Sequence, residues 1–279
     1  MAEVAVKQRK RFNFRGSLCM PYGVFMALFV IFPLVLILYY AFIDDAGHFT
    51  FNNWGSVFTT VENWKVIGNT FIISISTTLL CLIIAYPIAF ILSNSKLNKN
   101  KVLVYIFLLP MWVNFVIRTL ALKALVNNFI KAIFGVVLTS KYPMIAIIVG
   151  MVYDYLPFAI LPLYNQMLKM DKNQIEAAAD LGANPFQVFV KTIIPMTVPG
   201  IVSAATMTFM PTMSSYVIAN QMSERTMQIV GNLIQHQFEL THYNIGSVLS
   251  IVMLMIIGLS LLVEKAIDRK SDGKKGGIW

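Results

Sequence analysis

EAAADLGANPFQVFVKTIIP, Glu176 to Pro195, reads as one helix, a glycine turn and the start of a second helix, in a chain that is otherwise mostly hydrocarbon. Asp171 with Gln174 three residues later resembles a capping box and predicts a helix starting at Lys172. Ala177, Ala178 and Ala179 favour that helix and keep its face small. Gly182 stands where a helix C′ residue takes a positive φ, a conformation cheap only for glycine. Asn184 then caps a second helix with Pro185 at its first position, where the missing N–H costs nothing. The spacing predicts a rigid helix–turn–helix, not a flexible linker.

Around this segment the composition is that of a membrane protein, with 57% hydrophobic and only 13% charged residues among 279. A helix crossing about 30 Å of hydrocarbon needs about 20 mostly apolar residues. Gly16 to Ile43 and Val66 to Ser95 carry no charge, Val102 to Val126 holds only Arg118 and Lys123, and Tyr142 to Leu168 holds only Asp154. Thr192 to Ser223 and Leu240 to Val263 are again uncharged. The expected fold is all-α and polytopic, with six spans.

Six spans put both termini and alternate loops on one side. That side holds Lys7, Arg9, Lys10, Arg11, Arg15, Lys96, Lys99, Lys101, Lys169, Lys172, Lys191, Lys265, Arg269, Lys270, Lys274 and Lys275. The other holds Lys65, Lys131, Lys141 and Arg225. The asymmetry predicts both termini in the cytoplasm, and it makes the net charge of +9 a topology signal in preference to a nucleic-acid or lipid-binding tail. The first apolar run exceeds a signal-peptide core and lacks an A-x-A-like site before Asp44, so it is expected to stay as an anchor. Cys19 and Cys81 fall on different spans and suggest neither a disulfide nor a metal motif. The expected organisation is a basic tail over 1–17, a six-helix domain over 18–264 with a cytoplasmic loop at 170–192, and a basic tail over 265–279.

Amphipathic loop helices can simply lie along a membrane. Glu176-Ala177-Ala178, Gly182 six residues after Glu176, and Ile194-Pro195, however, resemble the EAA signature of permease subunits in bacterial ABC importers. "LPMWVNFVIRTLALKALV" (109–126), "DKNQIEAAADLGA" (171–183) and "GNLIQHQF" (231–238) are similar to the spermidine/putrescine permeases, particularly the PotB type. The resemblance runs from about the first span to the sixth and implies a type I ABC importer permease fold in a bacterial inner membrane. It also implies that the loop docks in a separate ATPase, with Glu176 as charged contact, Ala177 and Ala178 as close-approach face, Asp180 beside them and Gly182 as orienting turn. The implied partners are two ATPase subunits carrying ATP and Mg, a second homologous permease and an extracytoplasmic solute-binding protein, with no cofactor on this chain. One departure concerns cargo: where the subfamily commonly shows an acidic residue and paired glycines, this chain reads "SYVIANQMSE" (215–224), with Asn220. The chain has no G-x-x-x-x-G-K-[ST] loop, and the late "SDGKKGG" (271–277) reads as a solvated tail, so the permease is not expected to be an enzyme.

Ionisable groups at membrane depth default to functional hypotheses. On straight helices Asp154 and Trp112 would each lie about 15–18 Å into their spans, at one depth. A carboxylate with an indole face suits an organic cation, with Tyr153 beside it. The alternatives are that Trp112 packs between helices and that Asp154 pairs with Arg118. The fifth span contains Pro195, Pro199, Gly200 and Pro211, followed by Ser214, Ser215 and Tyr216, and is expected to be a broken, gate-lining helix. Lys123 is expected to snorkel, and His48, His236 and His242 lack ligand spacing. An ABC permease for thiamine, ferric iron or an amino acid is the nearest rival; an ion-driven secondary transporter would require repeats and more buried charges.

Overall fold

A computed structural model describes residues 20–94 and 102–275, so the N-terminal tail expected over 1–17, with Cys19, lies outside the described residues. Helix α1 spans Met20–Ala41. A short α2 (Asn52–Thr59) leads into the long α3 (Val61–Asn94). Next come α4 (Val102–Leu108), extended by a 3-10 turn at Leu109–Trp112, and α5 (Phe115–Phe134). The short α6 (Leu138–Lys141) precedes α7 (Pro143–Leu168), and α8 (Lys172–Asp180) precedes α9 (Pro185–Ser214). The chain ends with α10 (Tyr216–Met222), α11 (Val230–Glu239) and α12 (Tyr243–Lys275), which continues through 265–275 where a tail was expected. Five helices are long and apolar enough to cross a membrane, and the pair α4/α5 makes a sixth if counted as one span.

That pair corrects the expectation of a straight span over 102–126, because it is bent by 98°. Pro110 sits in the 3-10 turn, Val113 is extended, and Asn114 restarts the helix by accepting a hydrogen bond from the Val116 N–H at 2.9 Å. A proline that cannot donate and an N-cap four residues later impose the break together. Prolines leave a milder mark on α1 and α9. Each contains a π-turn, Ala27–Ile31 and Phe189–Ile193, just ahead of Pro33 and Pro195. The absent N–H of each proline cannot close the usual ring onto the residue four earlier, which lies inside the turn.

Helices α3, α7 and α9 form the centre. Their core joins Cys81, Ala85, Ala159, Leu163, Tyr164 and Ala204, with Val104 of α4 against it. Small residues let the backbones approach closely. A Cβ on Gly200 would lie 2.5 Å from the Gln166 Cβ, and Gln166 Nε2 donates to the Met196 carbonyl at 3.0 Å. Tyr86 of α3 meets the Thr197 hydroxyl at 3.0 Å, so three helices are fastened within the 196–200 stretch. At the end of the bundle away from the Glu176 loop, Met222 packs over Gly150 and Asn244 donates to Asp45 at 2.8 Å.

Candidate functional site

The two breaks, at 113–114 and at Ser215, both lie beside α7, around one cavity. Its volume is about 430 Å³, and it is bordered by Met111, Phe115, Arg118, Asp154, Tyr155 and Phe158 together with residues 214–218. Broken helix is tolerated at membrane depth only where protein or a cavity satisfies the freed backbone. At the first break Arg118 Nη1 donates to the freed Pro110 carbonyl at 2.7 Å; at the second, a side-chain bond from the Tyr155 hydroxyl to Ser215 Oγ at 2.8 Å ties the broken segment to α7.

Asp154 is buried to 2% side-chain exposure and does not face a Trp112 ring. Arg118 Nε donates to Asp154 Oδ1 at 2.6 Å, and the Thr119 hydroxyl lies 2.8 Å from Oδ2. Tyr153 stacks on the outer side of the Arg118 guanidinium, whose carbon lies 5.6 Å from the ring centre. The straight helix on which Trp112 and Asp154 would share a depth is not formed, because the span bends by 98°; Trp112 is 86% exposed and stands apart from the cavity lining. Ser214, Ser215 and Tyr216 do border the cavity. Asn220 lies behind it, accepting from Asn232 Nδ2 at 2.6 Å. Lys123 does not stand free but pairs with Glu224 at 3.2 Å. Thr119, Tyr155 and the Pro110 carbonyl were not singled out from the sequence, where a hydroxyl in a span looks like any other.

The second feature is the loop. α8 ends in a Schellman turn, in which the Gly182 N–H bonds Ala179 O and the Ala183 N–H bonds Ala178 O, with Gly182 at φ +84°. Asp171 caps α8 through the Asn173 N–H, without the reciprocal Gln174 bond that a capping box requires. The full box is at Asn184 and Gln187. The second loop helix is not a separate unit; it is the first turn of α9. Glu176, Ala177 and Asp180 are exposed and Ala178 is half-buried. Leu181 and Phe186, not anticipated, project at 88% and 74% exposure.

This chain is 32% identical over 267 residues to the spermidine/putrescine transport system permease protein PotB of Haemophilus influenzae, covering 88% of this chain and 92% of that protein. The chain belongs to the PotB family of transport system permease proteins. Escherichia coli PotB is likewise 32% identical, over 254 residues, covering 85% and 92%. No protein-family model matches the chain. Among solved structures, a chain of the bacterial alginate ABC transporter superposes with a TM-score of 0.73 at 16% identity, covering 92% of this chain and 94% of that one. A chain of the MetNI methionine ABC transporter superposes with a TM-score of 0.52 at 20% identity, covering 75% and 93%. Those identities speak to the fold alone, which is that of ABC transporter permeases. In this PotB-family member the Arg118–Asp154 pair and the Glu176 loop lie on helices that touch: α7 carries Asp154, and α9 begins in the loop and ends at the cavity.

Proposed function

We propose that this chain forms half of a translocation pathway for spermidine and putrescine in an ATP-driven importer of the bacterial inner membrane. The observation that carries this reading is the 32% identity to spermidine/putrescine permeases along nearly their whole length. In this reading the Glu176 loop and both termini face the cytoplasm. Glu176, Ala177, Ala178, Asp180 and Gly182 present the loop to one of two ATPase subunits, with Leu181 and Phe186 as apolar plugs beside a charged contact. ATP and Mg belong to those ATPases, and this chain supplies neither a nucleotide site nor a cofactor. A second permease completes the pathway, and an extracytoplasmic binding protein delivers cargo. Ser214, Ser215, Tyr216 and the paired Asp154 line the route, and Tyr153 lies against the Arg118 partner of that pair.

The test is uptake of labelled spermidine and putrescine by a polyamine-import-deficient bacterium expressing the chain with its ATPase, second permease and binding protein. ATP-dependent polyamine uptake is the expected result. Uptake of thiamine, ferric iron or an amino acid in its place would reassign the cargo, and uptake without the ATPase would overturn the importer reading.

A further inference from the structure

The cavity around Asp154 holds no net charge, because its two charged lining residues, Arg118 and Asp154, neutralise each other at 2.6 Å. A pathway for a polycation therefore lacks a free carboxylate there, and the ion pair cannot supply one without exposing a buried guanidinium. A second cavity adjoins it. This groove, of about 520 Å³, lies between the broken end of α9 and helix α11, at the end of the bundle away from the Glu176 loop. Ser214 and Tyr216 border both spaces, so the broken segment is the wall the groove and the inner cavity share.

The groove has the chemistry that the inner cavity lacks. Glu239 is the one carboxylate on its lining, and no ion pair among the described residues involves it. Gln235 Nε2 donates to Glu239 Oε1 at 2.8 Å, which orients the carboxylate and leaves its charge uncompensated. Tyr216 and Phe238 belong to the same lining. Gly231 keeps α11 close: a Cβ there would lie 2.9 Å from the Ser214 carbonyl. A carboxylate sharing one groove with aromatic side chains has the chemistry to recognise an organic ammonium, through charge attraction and cation–π contact.

We propose that the groove between Tyr216 and Glu239 is a vestibule for an organic polycation, which Glu239 holds before it passes Ser214 into the neutral inner cavity. This rests on the polyamine reading for the identity of the cation, but the charge selectivity of the groove can be measured without any cargo.

Ser214→Cys puts a thiol on the wall shared by the two cavities. In the assembled transporter its modification rates by a trimethylammonium and by a sulfonate methanethiosulfonate are compared, each divided by the rate with a free thiol; the parent without this substitution corrects for native cysteines. The cationic reagent is expected to be favoured about threefold or more, with the preference abolished by Glu239→Gln. Charge-blind labelling, or no labelling by either reagent, overturns the vestibule. Separately, Glu239→Gln is expected to lower spermidine uptake at low concentration about two- to fivefold, and unchanged uptake also overturns it. A parent complex that takes up no polyamine, yet still prefers the cationic reagent, refutes the cargo reading and leaves the vestibule standing.

Discussion

Asp154 carries its charge almost fully buried, at the edge of a cavity, and what keeps it there is its neighbours. With Arg118 on one oxygen and Thr119 on the other, the carboxylate is paired and hydrogen-bonded, and the guanidinium is held in turn by the Pro110 carbonyl. Removing one member of a buried pair strands the other at a cost of about 3–5 kcal/mol. Asp154→Asn is therefore expected to lower the thermal stability of the purified chain, and Arg118→Gln added to it should restore most of the loss. A stable Asp154→Asn protein with impaired uptake alone would instead assign the carboxylate to cargo. Both charges were legible in the sequence because each interrupts an apolar run. Their pairing across two helices was one of two open alternatives, and Trp112 was drawn towards Asp154 only because a straight helix was assumed. Pro110 and Asn114 carried the signal of the break, but proline in a membrane helix more often bends than interrupts, and sequence alone does not decide between them.

Turns between helices are where local chemistry was read best and tertiary fastening least. Gly182 was assigned its turn from the residues alone, and its φ of +84° bears that out. Since a Cβ there would meet nothing within 4 Å, Gly182→Val would strain only the backbone, by about 1–3 kcal/mol. It is expected to leave the protein in the membrane while uncoupling uptake from ATP hydrolysis; normal coupled uptake would reduce the loop to a surface helix. The link between α5, α6 and the α10–α11 turn was not visible in sequence, because its members are distant in the chain: Asn127 with Thr139, Thr139 with Glu224, and Glu224 with Lys123. The Thr139 hydrogen bond first, and Lys123 second, hold the Glu224 carboxyl below its ordinary value of 4.5. A depressed carboxylate pKa adds stability that is fully present above the ordinary value and is lost as pH falls through the lower, folded-state value. Thermal unfolding of the purified chain should thus lose a component as pH drops below about 4.5 that Glu224→Gln lacks. Superimposable pH profiles would show that the link contributes nothing to folding.

At the scale of the molecule, apolar run lengths foresee an all-α chain of six spans, since hydrocarbon thickness dictates them, and the structure gives five straight candidates with the bent α4/α5 pair as the sixth. The permease reading comes from the likeness of the Glu176 loop and its neighbours to a known family. How the spans pack was hidden, because glycines such as Gly150 and Gly200 look alike in sequence whether they face a neighbour or lipid. Under the proposed docking, Glu176→Lys reverses the charge offered to the ATPase, and like-charge contact at an interface costs several kcal/mol. The variant should insert normally, retain less ATPase subunit on purification and import less; full retention with normal import would refute docking through this face. The fastening at 196–200 has a mechanical consequence. Helix α9 runs unbroken for 30 residues from the loop to the cavity, about 45 Å, and Gly200 lies near its middle. The helix is a beam on a fulcrum, with arms of about 22 Å towards Pro185 and about 21 Å towards Ser214. Tilted as one body, such a beam has a mechanical advantage close to one: a push at the loop reappears at the cavity at similar amplitude and in the opposite direction.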